Sequence, residues 1–439
     1  MKVKNKILWK FVNNTGWILF KEIYAMLVSL IVGSLSARYL GPSNYGLINY
    51  GSSFISFFWI VSQLGLSNFI VPELVRRPEK ESVYLGTSLM MRLTASVLSI
   101  FIIQGIIVLL EPAKPLLYFI TFLQSLSIIF RSIDTVLCFW FQARMEMKYV
   151  TLTGMIALTL TSVWRIVILA QEASVEWFAA SSSISAGISA FVIGIFFYKK
   201  ARLKLKFCMK EVFYILNNSY HFIINSVTMT FYTQLDKIMI GKMLDETYLG
   251  YYTAASSISV MWEIVPNAIM NSAKPLLVQK YDSDKKEFIK RYQMLLLGVT
   301  LLGVFVGFCF TVLAKLAVWI LYGKDYYASI PALRILIWST VCSMIASGKT
   351  VWMVLEKQSK YIECFTLIGA VVNIGLNFIF IHIGGYIGAA WATLAASFLG
   401  MLMPLFFKDT KEYAFIYFGS FKQIPMLTKY VRNRISNIK

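Results

Sequence analysis

The chain has 439 residues, 58% of them hydrophobic, and a mean hydropathy of +0.65. A soluble core of this size needs far less apolar surface, so the composition excludes a soluble globular protein and makes lipid the main solvent. The net charge of +20 does not indicate a nucleic-acid-binding domain, because the Lys and Arg residues separate apolar runs instead of forming one basic domain.

Twelve apolar runs are long enough to cross a bilayer, since one helical crossing needs about 20 residues. The first run contains Lys21 and Glu22 and lacks a small-residue cleavage site, so it is interpreted as a membrane helix and not as a signal peptide. The five cysteines have no paired spacing that would indicate a disulfide framework or a metal site. The predicted spans are 15–37, 47–70, 83–110, 115–141, 149–170, 175–198, 211–240, 248–272, 292–321, 332–355, 361–382 and 386–407.

The distribution of Lys and Arg predicts the orientation of these spans, because cytoplasmic loops are enriched in both residues. With the N-terminus inside, the cytoplasmic segments contain 30 of the 42 Lys and Arg residues. The opposite loops contain only Arg38, Lys114, Lys242 and Lys324. Both termini are therefore predicted to be cytoplasmic.

A basic segment in the middle of the chain, KKARLKLKFCMK at 199–210, divides the spans into two sets of six. We therefore expect an all-α polytopic membrane protein of about twelve transmembrane helices in two six-helix lobes. The predicted parts are an N-terminal lobe at 1–198, a basic cytoplasmic linker at 199–210, a C-terminal lobe at 211–407 and a basic cytoplasmic tail at 408–439.

An internal repeat supports two related halves. A shift of 204 residues places Gly46 on Gly250, and a shift of 212 residues places Trp140 on Trp352. Each shift maps a span onto another of the same direction. The halves are therefore predicted to be parallel repeats about an axis along the membrane normal, an arrangement in which transporters bind substrate between the repeats.

Polar side chains form stripes along several predicted spans, and buried charges in lipid usually face a bundle interior or a wet cavity. The stripes of the first half carry three arginines, Arg92, Arg131 and Arg165, and one acid, Asp134. Arginine stays protonated and binds phosphate oxygens through paired hydrogen bonds. These arginines, together with Lys349 of the second half, predict a cationic cavity for an anionic substrate.

Structural roles compete with substrate binding at each of these positions. Arg131 and Asp134 are i, i+3 neighbours and can simply pair with each other. Arg92, Arg165 and Lys349 each lie within a few turns of a span end, where a long cationic side chain can reach the interface. The residues alone leave both interpretations open.

The second half is more acidic along its polar stripes. Asp236 and Glu263 are candidates for ion coupling or gating, together with Asp134 of the first half. His221 is a further candidate because histidine titrates near neutral pH, although it also fits a packing role. Asp236 also fits a helix end, since Lys237 follows it. The asparagines predicted to line the cavity are Asn225, Asn373 and Asn377.

Motifs for enzymatic chemistry are absent from the sequence, which has no P-loop, no HExxH and no GxSxG. Its two histidines, His221 and His382, give no metal cluster. We therefore predict a transporter with no metal and no cofactor. Without a nucleotide-binding motif, transport has to draw on an ion gradient, the membrane potential or a partner.

Six ordered segments resemble the Wzx-type oligosaccharide flippases of the multidrug/oligosaccharidyl-lipid/polysaccharide (MOP) superfamily. The likeness extends over nearly the whole chain, and the ordered set is more specific than any one segment. The segments are ARYLGPSNYG at 37–46, GLSNFI at 65–70, LDKIMIG at 235–241, LGYYTAA at 249–255, YGKDYYAS at 322–329 and GYIGAAWAT at 385–393.

This resemblance implies two six-helix bundles in an inverted V and translocation of an undecaprenyl-diphosphate-linked oligosaccharide to the outer leaflet of the bacterial plasma membrane. It implies a role in O-antigen or capsule synthesis. It also implies membrane lipids, a polysaccharide polymerase and a chain-length regulator as partners, and no nucleic acid. Cations that line the N-terminal lobe are thought to engage the diphosphate in this family, which matches the role predicted for Arg92, Arg131 and Arg165.

Two other functions compete with that of a flippase. An ion-coupled small-molecule exporter of the same superfamily, such as a multidrug cation antiporter, needs an anionic cavity, and the three arginines argue against it. A membrane glycosyltransferase or polymerase generally needs a sizeable extramembrane loop that carries acids or arginines. Every predicted outward loop of this chain is short.

Overall fold

The computed structural model describes the backbone of residues 2–423. It describes side chains from residue 16 to residue 423, except at positions 18 and 19 and at a set of positions between 221 and 283 that includes His221 and Asn225. Helices are the only regular secondary structure of these residues. The predicted all-α polytopic fold is therefore confirmed.

The first compact unit comprises residues 1–250. Within the described residues it consists of seven helices and the start of an eighth. The helices are α1 (Lys2–Ser62), α2 (Leu66–Arg76), α3 (Glu81–Leu110), α4 (Pro115–Ala143), α5 (Met147–Ala170), α6 (Val175–Ala201) and α7 (Met209–Met243).

The second compact unit comprises residues 251–439. Its boundary with the first unit lies inside α8, and the division into two lobes at the 199–210 segment stays a prediction. The helices of the described part are α8 (Glu246–Met261), α9 (Ile264–Ser283), α10 (Lys285–Tyr322), α11 (Ser329–Leu355), α12 (Ser359–Leu402) and α13 (Lys411–Ser420).

Eight helical stretches of the described chain are long and apolar enough to cross a membrane. Two of them, Phe20–Arg76 and Ser359–Leu405, have 57 and 47 residues, more than two crossings of about 20 residues need. The seventh and eighth predicted spans fall on α7, α8 and α9, which are not among the eight. Helix α8 has 16 residues, fewer than one crossing of about 20 residues needs.

Glycine residues turn the chain between two crossings inside α1 and inside α12. Gly41 has a φ of 69° and Gly385 a φ of 57°, both in the left-handed region. A side chain with a Cβ atom pays about 1–2 kcal/mol in that region, whereas glycine does not. Gly41 lies between the first two predicted spans and Gly385 between the last two, so both turns fall where the hydropathy pattern separates the spans.

The basic linker packs on α3 within the first unit. The backbone N–H of Lys206 donates to the Ser82 carbonyl at 3.0 Å, and the backbone N–H of Cys208 donates to Oγ1 of Thr87 at 3.1 Å. Gly86 leaves room for this approach, since a Cβ atom there would overlap the backbone of Lys206. The linker is therefore fixed along the first turns of α3.

Two glycines that the internal repeat aligns contact each other's segments reciprocally. A Cβ atom on Gly46 would overlap the carbonyl of Glu246, and a Cβ atom on Gly250 would overlap the carbonyl of Pro42. The shift of 204 residues maps Pro42 onto Glu246 as well as Gly46 onto Gly250. The two contacts are therefore equivalent, as a local two-fold axis between the segments requires.

The start of the basic tail forms the short helix α13. Its ten residues are about half of one bilayer crossing. Tyr413, Ile416 and Tyr417 are buried, and Nε2 of Gln293 on α10 donates to the Ile416 carbonyl at 3.2 Å. This part of the tail therefore packs on the second unit without spanning the membrane.

Candidate functional site

Two arginines from neighbouring helices contact one tryptophan. The guanidinium carbon of Arg92 on α3 lies 5.0 Å from the ring centroid of Trp59 on α1, and that of Arg131 on α4 lies 5.9 Å from the same ring. A hydrogen bond of 2.8 Å between Ser96 and Ser132 joins α3 to α4, four residues after Arg92 and one residue after Arg131. Cation–π attraction of about 0.5–2 kcal/mol per contact helps to hold two like charges together here. We call Arg92, Arg131 and Trp59 the Trp59 cluster.

Arg92 is buried without a hydrogen-bond acceptor. Its exposed fraction is 0%, and Nε, Nη1 and Nη2 make no hydrogen bond to any described residue. A guanidinium carries five N–H donors, and a buried charge without a partner costs several kcal/mol. A purely structural arginine would avoid that cost by pairing. The Trp59 cluster therefore has free capacity for an anion.

Asp134 is the acid of this region. It accepts a hydrogen bond from Oγ of Ser189 on α6 at 2.7 Å, and the cations that act on it electrostatically are Lys21, Arg92 and Arg131. The structure describes no salt bridge between Arg131 and Asp134, although they are i, i+3 neighbours. Positive charge is therefore in excess here.

Lys21 is a functional candidate that the sequence reasoning missed. Its Nζ lies 3.3 Å, and its Cε 2.8 Å, from the position that a Cβ atom would take on Gly154 of α5. Gly154 thus leaves the space that the lysine occupies. The sequence feature that could have indicated Lys21 was its position inside the first predicted span, where the bilayer makes a charge costly.

Arg165 on α5 lines a separate pocket of about 280 Å³. Its Nε donates to Oγ of Ser181 on α6 at 3.0 Å. Neutral polar groups of α1 share the lining, and the indole and guanidinium groups of the Trp59 cluster do not. These polar residues are Ser29, Ser36, Tyr45, Asn49 and Ser52.

Lys349 lies in the second unit, on α11. Its Nζ donates to the Gly400 carbonyl at 2.7 Å and lies 5.2 Å from the ring centroid of Phe365. It is half-buried and has partners within its own unit. Its predicted role in substrate binding stays a prediction.

The two predicted asparagines of α12 are buried and contact each other. Nδ2 of Asn377 donates to Oδ1 of Asn373 at 3.0 Å. Oδ1 of Asn377 accepts no hydrogen bond from the described residues. This pair therefore has one unused acceptor.

The remaining predicted coupling residues lie in different settings. Asp236 on α7 is buried, and its Oδ1 accepts from the backbone N–H of Lys237 at 2.8 Å. Glu263 is half-buried at the break between α8 and α9. The side chains of His221 and Asn225 lie outside the described residues, so their predicted roles stay predictions.

An ion-pair cluster that the sequence did not reveal joins α3, α4 and α7–α8 at the end predicted to face outward. Nζ of Lys114 lies 3.1 Å from Glu111 and 2.7 Å from Glu246, and Nζ of Lys242 lies 3.5 Å from Glu111. Tyr50 of α1 also donates to Glu111, at 3.1 Å. The hydrogen bond to Glu246 raises the pKa of Lys114. We call Glu111, Lys114, Lys242 and Glu246 the ion-pair cluster.

A family model and a curated relative match this chain. The model of the family described as "Polysaccharide biosynthesis protein" matches residues 35–331. The protein named "Probable flippase AglR" from Haloferax volcanii is 28% identical over 179 residues, which are 40% of this chain and 37% of that protein. The match thus spans little more than a third of the relative's length.

Solved structures with a similar fold belong to transporters. A structure titled "Lipid II flippase MurJ, inward closed conformation" superposes with a TM-score of 0.69 at 18% identity, over 95% of this chain and 93% of that chain. The inward-facing conformation of a multidrug resistance MATE family transporter of the MOP superfamily gives 0.62 at 15% identity, over 88% and 96%. The resemblance to the MOP superfamily is thereby confirmed at the level of fold.

Proposed function

The chain belongs to the polysaccharide biosynthesis protein family, and from this premise we propose that it is a flippase for a lipid-linked oligosaccharide. The proposed substrate is an undecaprenyl-diphosphate-linked repeat unit, carried from the inner to the outer leaflet of a bacterial plasma membrane. Surface polysaccharide, as O-antigen or capsule, is the proposed product of the pathway. A polymerase and a chain-length regulator are proposed to act on the translocated unit.

The observation that carries this proposal is the unpaired Arg92 beside Arg131. A diphosphate presents several anionic oxygens to a binding site, and the guanidinium fork matches phosphate oxygens in pairs. Arg131 is exposed while Arg92 is fully buried, yet both contact the Trp59 ring. We propose that the diphosphate accepts hydrogen bonds from both arginines and that Lys21 adds positive charge to the site.

Alternating access is the proposed mechanism, with the lipid tail staying in the bilayer while the polar head crosses. Lys349, Asn373 and Asn377 are proposed to contact the head group during this cycle. Asp134, Asp236, Glu263 and His221 are the proposed coupling or gating residues. Asp134 is the best supported of these, because the cations of the Trp59 cluster act on it.

The test is leaflet sidedness of a lipid-linked oligosaccharide in proteoliposomes, read by its exposure to periodate outside the vesicle. We expect wild type to raise the exposed fraction and both Arg92→Gln and Arg131→Gln to lower the rate at least tenfold, about 1.4 kcal/mol. Arg334→Gln is the matched control, because this arginine is exposed on α11 and donates to the Thr311 carbonyl.

Two outcomes would count against the proposal. Undiminished transport in both variants would remove the arginines from the substrate path. No transport by wild type, combined with efflux of a small organic cation, would favour an exporter of the same superfamily.

A further inference from the structure

The pocket around Arg165 differs chemically from the Trp59 cluster. Among the described residues, Arg165 is the only charged side chain of the lining, and no described carboxylate takes part in it. The other polar groups of the described lining are hydroxyls and an amide, from Ser29, Ser36, Ser52 and Asn49 among others. The pocket therefore combines one positive charge with a neutral, hydrogen-bonding wall.

The guanidinium of Arg165 is anchored by a hydrogen bond, and Tyr45 acts on it electrostatically. Nε donates to Oγ of Ser181 at 3.0 Å, and Ser181 is itself fully buried. The structure describes no hydrogen bond from Nη1 or Nη2 to the rest of the described chain. A guanidinium with an anchored Nε presents its two terminal nitrogens as a fork, which is the geometry that binds one carboxylate through two hydrogen bonds.

The α1 wall of the pocket is also fixed. Nδ2 of Asn49 donates to the Tyr45 carbonyl at 2.7 Å, and Oγ of Ser52 accepts from Nε2 of Gln124 at 3.0 Å. Phe178 supplies an apolar face and stacks on Tyr39 with ring centroids 5.4 Å apart. Hydroxyl and amide groups around an aromatic face match a pyranose ring, whose edge carries hydroxyls and whose face is apolar.

We propose that this pocket binds a carboxylated sugar, such as a uronic acid, within the lipid-linked oligosaccharide. The inference rests on the proposed flippase function and assigns a second subsite to the same substrate. A single guanidinium balances the single charge of a carboxylate, whereas the diphosphate carries more charge and meets two arginines at the Trp59 cluster. The volume of about 280 Å³ lies just below the range of small-molecule sites, about 300–1,000 Å³, and suits one sugar ring.

The experiment compares two undecaprenyl-diphosphate disaccharides that differ only in the terminal sugar, glucuronic acid or glucose. Both are offered to wild type, Arg165→Gln and Arg92→Gln in proteoliposomes. We expect Arg165→Gln to lower the rate for the glucuronate substrate at least tenfold and that for the glucose substrate less than twofold. Arg92→Gln should lower both rates by the same factor.

Asn49→Asp is the second variant, in case Arg165→Gln does not fold. It keeps the shape of the side chain and places a carboxylate in the lining, which should repel the substrate carboxylate. We expect the same selective loss of the glucuronate substrate. Equal losses for both substrates, or no loss for either, in the variants that fold would overturn the subsite.

A binding measurement separates this inference from the flippase proposal. Methyl glucuronide and methyl glucoside are added to the purified protein, and the shift of the apparent melting temperature is recorded. We expect a shift with the glucuronide in wild type that is lost in Arg165→Gln, whether or not either lipid is transported. Equal shifts with the two glycosides, or none with either, would overturn the carboxylate subsite and leave the flippase proposal standing.

Discussion

Two regions of the first unit hold buried charges in opposite ways. In the ion-pair cluster, Glu111 has 6% of its surface exposed and contacts Lys114, Lys242 and Tyr50. In the Trp59 cluster, Arg92 is fully buried and has no acceptor among the described residues. A buried charge that is paired within the protein contributes to the stability of the fold. A buried charge without a partner in the protein is free to bind a ligand. Substitutions in the two regions should therefore affect different measurements.

The largest effect on stability is expected at Gly46, which contacts the backbone of Glu246 in the ion-pair cluster. Gly46→Ala would place a Cβ atom inside the Glu246 carbonyl, so we expect a loss of about 3 kcal/mol or more of unfolding free energy, the upper end for overpacking. Denaturant unfolding in detergent micelles measures it. Gly105→Ala is the control, because nothing lies within 4 Å of its Cβ position. Equal stability of the two variants would contradict the close approach.

The next effect should appear in transport and not in stability. Arg92→Gln removes donors that we expect to bind the diphosphate, and hydrogen bonds to charged groups contribute about 1.5–3 kcal/mol. We therefore expect a roughly tenfold to hundredfold lower transport rate. The same variant removes an unpaired buried charge, so its unfolding free energy should equal or exceed that of wild type. A stability loss as large as the transport loss would make Arg92 a structural residue.

The converse result is expected for Glu111→Gln in the ion-pair cluster. This change leaves Lys114 with Glu246 alone and Lys242 without its carboxylate partner. We expect a loss of about 1–3 kcal/mol in unfolding free energy. Glu79→Gln is the matched control, because Glu79 is exposed in the turn before α3. If Glu111→Gln left stability unchanged and abolished substrate binding, the distinction between the two regions would fail.

The smallest effect is expected at an exposed ion pair. Nη2 of Arg291 lies 2.6 Å from Glu287 on the first turns of α10, with 53% and 42% of the side chains exposed. Exposed i, i+4 pairs contribute only about 0.3–0.5 kcal/mol. Arg291→Ala should therefore change the unfolding free energy by less than about 0.5 kcal/mol. A larger loss would mean that pairing alone, without burial, determines the stabilisation in this protein.

Part of the candidate site could be predicted from the sequence. Arg92 and Arg131 were found because a charge inside an apolar run is costly and therefore conspicuous. Their common contact with Trp59 could not be predicted. The three residues lie on three helices, and no local sequence pattern determines how these helices are rotated relative to one another. Lys21 was missed for a related reason: the space that it occupies exists because Gly154, on another helix, has no side chain.

The sequence by itself determined the fold class, because it follows from local hydropathy. The turns at Gly41 and Gly385 fall between predicted spans, and the conformational freedom of glycine allows them there. Only the tertiary structure decided which charges are paired. Lys114 and Glu246 are 132 residues apart and meet at 2.7 Å, whereas Arg131 and Asp134 are three residues apart and form no salt bridge. Ion pairing depends on a few ångströms between helices, which helix packing sets and sequence spacing does not.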